Sequence, residues 1–264
     1  GFKCCLADGG QVTPPDDVAI VEQVGRIGLA DVEPYLEKNL AGVLTVPAAA
    51  EDAYLARLAA LVVDQEVLSR HAPKVVYTNL HGTGDVMVVP ALRRVGLDPF
   101  VVDEQLEHDG RFPTVPSPNP ESPAAFVLAL KHAEEIHADL VLATDPDSDR
   151  VGAACPLPKG GYRLLTGNEV AALLTEFRIS SLKDAGILPA AGTEAAVVVK
   201  SLVTTPLVQA ICARHGVRCV ETLVGFKWIA RKLERWSRQL AAGAGAEAPT
   251  LPLHRRAPLA LRHG

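Results

Sequence analysis

Short apolar runs alternate with longer amphipathic stretches along this chain, and that alternation restricts the possible folds more than any other feature. KVVYTNL, from Lys74 to Leu80, reads as a buried strand. HGTGD follows it as a glycine turn, and VMVVPALRRVG then reads as a helix. DPFVVDEQ contains the next strand. SPAAFVLALKHAEEIHA reads as a helix with Ser122 as its N-cap and Pro123 in its first turn. DLVLAT, from Asp139 to Thr144, is a third strand. Strand, helix, strand, helix, strand in this order predicts an α/β fold with right-handed crossovers and a mainly parallel sheet.

A second α/β unit starts after GNEVAALLTEF. AAVVVKSLV supplies a strand, TTPLVQAICARHG a helix and VRCVETL another strand. The stretch from Lys183 to Gly192 carries Gly186, Pro189 and Gly192 and reads as a boundary. Near the start, one helix is expected from Asp16 to about Ile27, after the turn TPPDD. Beyond Trp236 the chain becomes rich in Ala, Gly, Pro and Arg with no sustained period, which predicts disorder or poor packing.

Composition removes several classes of function. The 264 residues are 48% hydrophobic, enough for a buried core. A net charge of −5 gives no general attraction to nucleic acid or to anionic membranes, so neither is expected as a partner. No run of 18 apolar residues and no signal-peptide pattern occurs, so the expected location is cytoplasmic. The cysteines, Cys4, Cys5, Cys155, Cys212 and Cys219, are odd in number and contain no C-x-x-C. Neither a disulfide framework nor a zinc site is expected, which fits a reducing compartment. Cys155 and Cys212 sit in apolar contexts and read as small core residues.

The chemistry concentrates in DPDSDR, directly after the third strand. Asp145, Asp147 and Asp149 are spaced i, i+2, i+4. In an extended loop alternate side chains point the same way, so three carboxylates can converge. Unpaired they repel; a bound cation removes that cost. Oxygen-only ligands favour Mg²⁺, Mn²⁺ or Ca²⁺ over zinc. Arg150 adds a permanent cation, and a metal beside an arginine suits a phosphoryl group. A position beyond the carboxyl end of a strand is where open α/β sheets bind ligands.

The same residues admit other readings. A solvated acidic turn is the plain alternative. A calcium EF-hand loop needs Gly sixth and Glu twelfth, where this chain has Arg150 and Pro156. A haloacid-dehalogenase-type phosphatase would use Asp145 as nucleophile and Asp147 as acid/base, but it explains neither Asp149 nor Arg150. A third option is a non-catalytic metal- or phosphate-binding module.

Several blocks, in order, resemble the α-D-phosphohexomutase family, most closely its phosphoglucomutase-2/phosphopentomutase branch. The metal loop Asp-x-Asp-x-Asp-Arg is matched by Asp145 to Arg150. GFKCCLADGGQVTPPD echoes the sequence after the family's catalytic serine. YTNLHGTG (Tyr77 to Gly84) stands for YTPLHGTG, and FPTV-x-x-PNPE runs from Phe112 to Glu121. LTGNE spans Leu165 to Glu169, KSLVTT spans Lys200 to Thr205, and LVGFKWI spans Leu223 to Ile229.

The resemblance implies tandem three-layer α/β/α domains with mainly parallel sheets, four in the family, around one cleft. It implies transfer of a phosphoryl group between the C1 and terminal hydroxyls of a phosphosugar, by way of a phosphoserine and Mg²⁺. Asp145, Asp147 and Asp149 are then metal ligands, and Arg150 steadies the phosphoryl group. Lys227 and His81 would face the substrate. The expected partner is glucose 1-phosphate or 6-phosphate, with mannose and pentose phosphates open. The implied layout is the end of domain I (1–50), domain II with the metal loop (51–182), part of domain III (183–236) and a tail (237–264). The family's Thr-Ala-Ser-His-Asn-Pro, Gly-x-Glu-Glu-Ser-x-Gly and fourth-domain phosphate loops do not occur in these 264 residues. The expectation is an incomplete enzyme without turnover of its own.

Overall fold

A computed structural model describes residues 3–7, 9–32 and 44–241. Helices α1 (Asp16–Val24), α2 (Leu29–Val32), α3 (Ala48–Ala59) and α4 (Gln65–His71) come first. Strand β1 (Val75–Thr78), helix α5 (Asp85–Arg94), strand β2 (Phe100–Val101), helix α6 (Val127–Ile136) and strand β3 (Leu140–Thr144) follow. Strands β4 (Val151–Pro156) and β5 (Tyr162–Leu165) lead into α7 (Gly167–Asp184), β6 (Thr193–Ser201), α8 (Leu207–Arg214), β7 (Val217–Thr222) and α9 (Phe226–Ala241). The chain divides into two compact units: Pro47–Leu174, and a second drawn from residues before 47 and after 174.

The Pro47–Leu174 unit is built on a sheet of order β2-β1-β3-β4-β5. β1 runs parallel to both β2 and β3, whereas β4 is antiparallel to its two neighbours. Four strands therefore share a direction and β4 alone opposes it. β1 is buried at every position, as expected of a strand covered on both faces. Helix α6 packs across β1 and β3, with its fully buried Ala129 and Ala133 admitting a close approach. Val76, Val102, Phe126, Val141, Ala143 and Ala154 complete the centre of the core.

The β4–β5 hairpin was not anticipated. Its turn depends on Gly160 and Gly161, both at positive φ (89° and 75°), which side chains rarely adopt. The start of α6 also differs from expectation. Ser122 has the extended backbone of an N-cap, yet its hydroxyl caps nothing. Pro123–Phe126 forms a 3₁₀ turn instead, in which the Ser122 carbonyl accepts the Ala125 N–H at 3.0 Å. The LTGNE block proves to be a reciprocal cap on α7. The Glu169 N–H donates to Thr166 Oγ1 at 3.2 Å, and the Thr166 N–H donates to Glu169 Oε2 at 2.8 Å.

In the second unit β6 and β7 pair in parallel, α8 packs on β7, and α9 contacts β6. Cys212 on α8 and Cys219 on β7 are free thiols, and burial pushes Cys212 up to about 12. Cys155 is only half-buried, because burial alternates along β4 and it falls on the opposite face from the buried Gly152 and Ala154. Helix α1 stops at Val24, short of Ile27, with Gly25 at its end. Helix α9 runs past the change in composition: Trp236 is buried and the helix continues to Ala241. The rest of the low-complexity stretch, 242–264, lies outside the described residues. Among the described residues no helix is long and apolar enough to cross a membrane.

Candidate metal centre

β3 ends at Thr144, and the chain returns into β4 through Asp145 to Arg150. This connection is a turn, not the extended loop that the spacing suggested. The Ser148 N–H donates to the Asp145 carbonyl at 2.9 Å, and the Asp145 N–H reaches the Arg150 carbonyl at 3.3 Å. Ser148 sits at φ 58°, in the left-handed region. The carboxylates still converge, but through the turn. One oxygen from each of Asp145, Asp147 and Asp149 lies within 4.8 Å of the others. Asp145 is buried, and Asp147 and Asp149 are exposed. Three hard oxygen donors this close fit a divalent cation of the Mg²⁺ or Mn²⁺ kind.

Arg150 engages both oxygens of Asp145. Its N–H donates to Oδ1 at 3.0 Å and its Nε to Oδ2 at 2.9 Å. The Asp145 carboxylate holds the guanidinium pKa above its ordinary value. The same side chain reaches Asn119 Oδ1 at 3.4 Å and lies 3.8 Å from Asp149 Oδ1. A buried Asp145 is thus paired and hydrogen-bonded, which is how a buried charge is tolerated.

The glycine turn after β1 seats this loop. The Thr83 N–H and hydroxyl both donate to the Pro146 carbonyl, at 2.9 and 3.1 Å. A Cβ on Gly82 would stand 2.2 Å from Pro146 Cα. One on Gly84 would stand 2.2 Å from Tyr77 Oη and 2.4 Å from Thr144 Oγ1. Tyr77 and Thr144 are hydrogen-bonded at 2.7 Å under the loop, and burial pushes the Tyr77 phenol up to about 12. On the other side, a Cβ on Gly152 would stand 2.1 Å from the Pro120 carbonyl, so the PNPE segment lies directly against β4. None of Thr83, Tyr77, Asn119 or Thr144 stood out as a site residue in the sequence. Tyr77 and Thr83 lie in the YTNLHGTG block and Asn119 in PNPE, so the sequence marked these segments but not the contacts each residue makes.

His81 and Lys227 are each engaged with other protein groups. His81 is buried at φ 62°. Its Nδ1 lies 3.0 Å from the Glu107 carbonyl, which can only accept, so Nδ1 carries the proton. Its Nε2 accepts from Thr114 Oγ1 at 2.8 Å. Gln105 donates to that same hydroxyl at 3.0 Å and accepts from Thr78 Oγ1 at 2.7 Å. His81 is thereby tied into the structure beneath the glycine turn. Lys227 belongs to the other unit, where its Nζ donates to Asp17 Oδ2 at 3.1 Å and sits 5.2 Å from the centre of the Trp228 ring. Phe226 is exposed at the start of α9.

Two family models match the chain. Phosphoglucomutase/phosphomannomutase, alpha/beta/alpha domain II, matches residues 52–158, and the corresponding domain III matches residues 166–248. The chain belongs to the α-D-phosphohexomutase family. A Haemophilus influenzae protein named "Probable phosphomannomutase" is 32% identical over 235 residues, covering 88% of this chain and 45% of that protein. A Staphylococcus aureus phosphoglucomutase is 30% identical over 239 residues, covering 89% of this chain and 41% of the relative. This phosphohexomutase chain thus spans less than half the length of these curated relatives. A phosphoglucomutase/phosphomannomutase family protein from Burkholderia thailandensis shares the fold, with a TM-score of 0.52 at 17% identity, over 70% of this chain and 35% of the other. The domain II match takes in the whole Asp145–Arg150 turn together with the glycine turn that seats it.

Proposed function

We propose that this chain carries the metal-binding part of a Mg²⁺-dependent phosphosugar mutase, one that interconverts sugar 1-phosphates and 6-phosphates by way of a phosphoserine. The single observation that carries the reading is the convergence of Asp145, Asp147 and Asp149 within 4.8 Å, in a turn that also presents Arg150. The three aspartates are the proposed ligands. When bound, Mg²⁺ would draw charge from the oxygens of a transferring phosphoryl group. Arg150 would do the same with its guanidinium, whose Nη groups extend beyond the Asp145 contact. The mutase activity and the phosphosugar substrate are assigned together on this reading; the layout expected from the sequence, domains I (1–50), II (51–182) and III (183–236), differs from the matched spans, in which domain II ends at 158 and domain III begins at 166. Glucose phosphates are the first substrates to test.

Two features modify the roles first expected of other residues. Both ring nitrogens of His81 are used internally, so its part is to hold the glycine turn, not to touch substrate. Lys227 would have to leave Asp17 before it met a phosphosugar. The phosphatase alternative loses support, because it gives no role to Asp149 or Arg150, which the turn brings together with Asp145 and Asp147.

The reading is tested by following glucose 1-phosphate with the purified chain by ligand-observed NMR. Binding is expected to need Mg²⁺ and to weaken in Arg150→Met, with no inorganic phosphate released. Metal-independent binding would contradict it, and phosphate trapped on Asp145 would favour the phosphatase.

A further inference from the structure

We propose that Thr83 is a positioning residue for the ion held by Asp145, Asp147 and Asp149, acting through the Pro146 carbonyl. The inference rests on reading that triad as a metal site.

Pro146 lies between two of the carboxylates. Its ring fixes φ, so the direction in which the chain leaves toward Asp147 depends on ψ, and therefore on where the Pro146 carbonyl points. Thr83 fixes that carbonyl twice, with its N–H at 2.9 Å and its hydroxyl at 3.1 Å. Two donors from one residue define the peptide plane ahead of Asp147 better than one can. On the far side of Asp147, the Ser148 N–H closes back onto the Asp145 carbonyl at 2.9 Å. Asp147 is held from both directions.

Thr83 is itself braced. Asn79, at the end of β1, donates from Nδ2 to the Gly82 carbonyl at 2.7 Å and to the Leu106 carbonyl at 3.1 Å. Gly82 and Gly84, both buried, leave room for the loop: a side chain on Gly82 would meet the Pro146 backbone at 2.2–2.7 Å. On Gly84 it would meet Ser148 Oγ at 2.8 Å. The Gly-Thr-Gly triplet is therefore a socket, with glycines for clearance and threonine for the grip. Thr83 is exposed and touches no carboxylate in these bonds, so its influence on the ion passes through backbone geometry.

The test compares Mn²⁺ binding by electron paramagnetic resonance in the whole chain and in two variants. Thr83→Val keeps the N–H and the shape but loses the hydroxyl, whereas Thr83→Ser keeps the hydroxyl. Residues that orient metal ligands typically shift affinity by about 10-fold or more when replaced. Thr83→Val is expected to weaken Mn²⁺ by about tenfold and to speed hydrogen exchange at the Ser148 amide, and Thr83→Ser is expected to restore both. Circular dichroism confirms that each variant is folded. Equal Mn²⁺ affinity in wild type and Thr83→Val overturns the positioning role and leaves the metal reading standing. A tenfold loss that serine does not rescue also overturns it. A wild-type chain that binds no Mn²⁺ removes the metal reading, and the role of Thr83 with it.

Discussion

At the scale of single residues, the aspartates of the turn carry unequal burdens. Asp147 is exposed and takes part in the acidic cluster, so Asp147→Asn relieves like-charge repulsion in the metal-free chain. Its unfolding free energy in EDTA should match wild type within about 0.5 kcal/mol. Saturating Mg²⁺ should stabilise wild type by about 2–3 kcal/mol at a hundredfold excess over the dissociation constant and stabilise Asp147→Asn far less. Asp145→Asn is different. It takes the charge from a buried partner of Arg150, and should cost about 1–3 kcal/mol in EDTA as well. Urea unfolding with and without Mg²⁺ separates the two patterns. Tyr77 makes a prediction at high pH. Its phenol is held near 12 in the folded chain against an ordinary value of 10. Between these values the unfolded chain has released a proton that the folded chain retains, so stability falls as pH rises from about 10 toward 12. Tyr77→Phe should flatten that decline, measured as the drop in urea midpoint between about pH 9 and about pH 11.

At the scale of elements, the loop sits between two close backbone contacts, the glycine turn on one side and the PNPE segment on the other. Gly152→Ala would place a Cβ 2.1 Å from the Pro120 carbonyl, a backbone atom that cannot swing away. It should cost about 1–3 kcal/mol by thermal or urea unfolding, and should loosen the loop that holds Asn119 near Arg150. The apolar runs that became β1, β3, β6 and β7 were legible because each is dense in branched apolar residues and bounded by turn signals. β4 and β5 were not read, although Gly160-Gly161 is a hairpin signal. VGAACP is made largely of small residues and ends in proline, so it lacks the branched apolar density that marks a strand. The three metal-ligand candidates were legible for a partly wrong reason. Their spacing suggested an extended strand, while a left-handed Ser148 and a closing hydrogen bond bring them together. Thr83 lies in the YTNLHGTG block, but its grip on Pro146 was not legible, because that partner is 63 residues away.

At the scale of the whole molecule, apolar side chains stand exposed in both units. Val18, Val21 and Val24 on α1 do so, as do Leu202, Val203, Leu223, Val224 and Phe226 at the ends of β6 and β7 and the start of α9. In the other unit, Leu173 and Leu174 of α7 are exposed. Exposed apolar surface of this kind promotes association. Sedimentation velocity should show self-association that grows with protein concentration, and a single monomeric species throughout would contradict this. The proposed divalent-metal site is the Asp145–Arg150 turn of a phosphohexomutase domain. The most direct measurement is isothermal titration of Mn²⁺ into wild type and into the double variant Asp147→Asn/Asp149→Asn. One ion per wild-type chain and no saturable binding in the variant are expected; an unchanged isotherm in the variant, or no binding in wild type, would rule out a metal site at this turn.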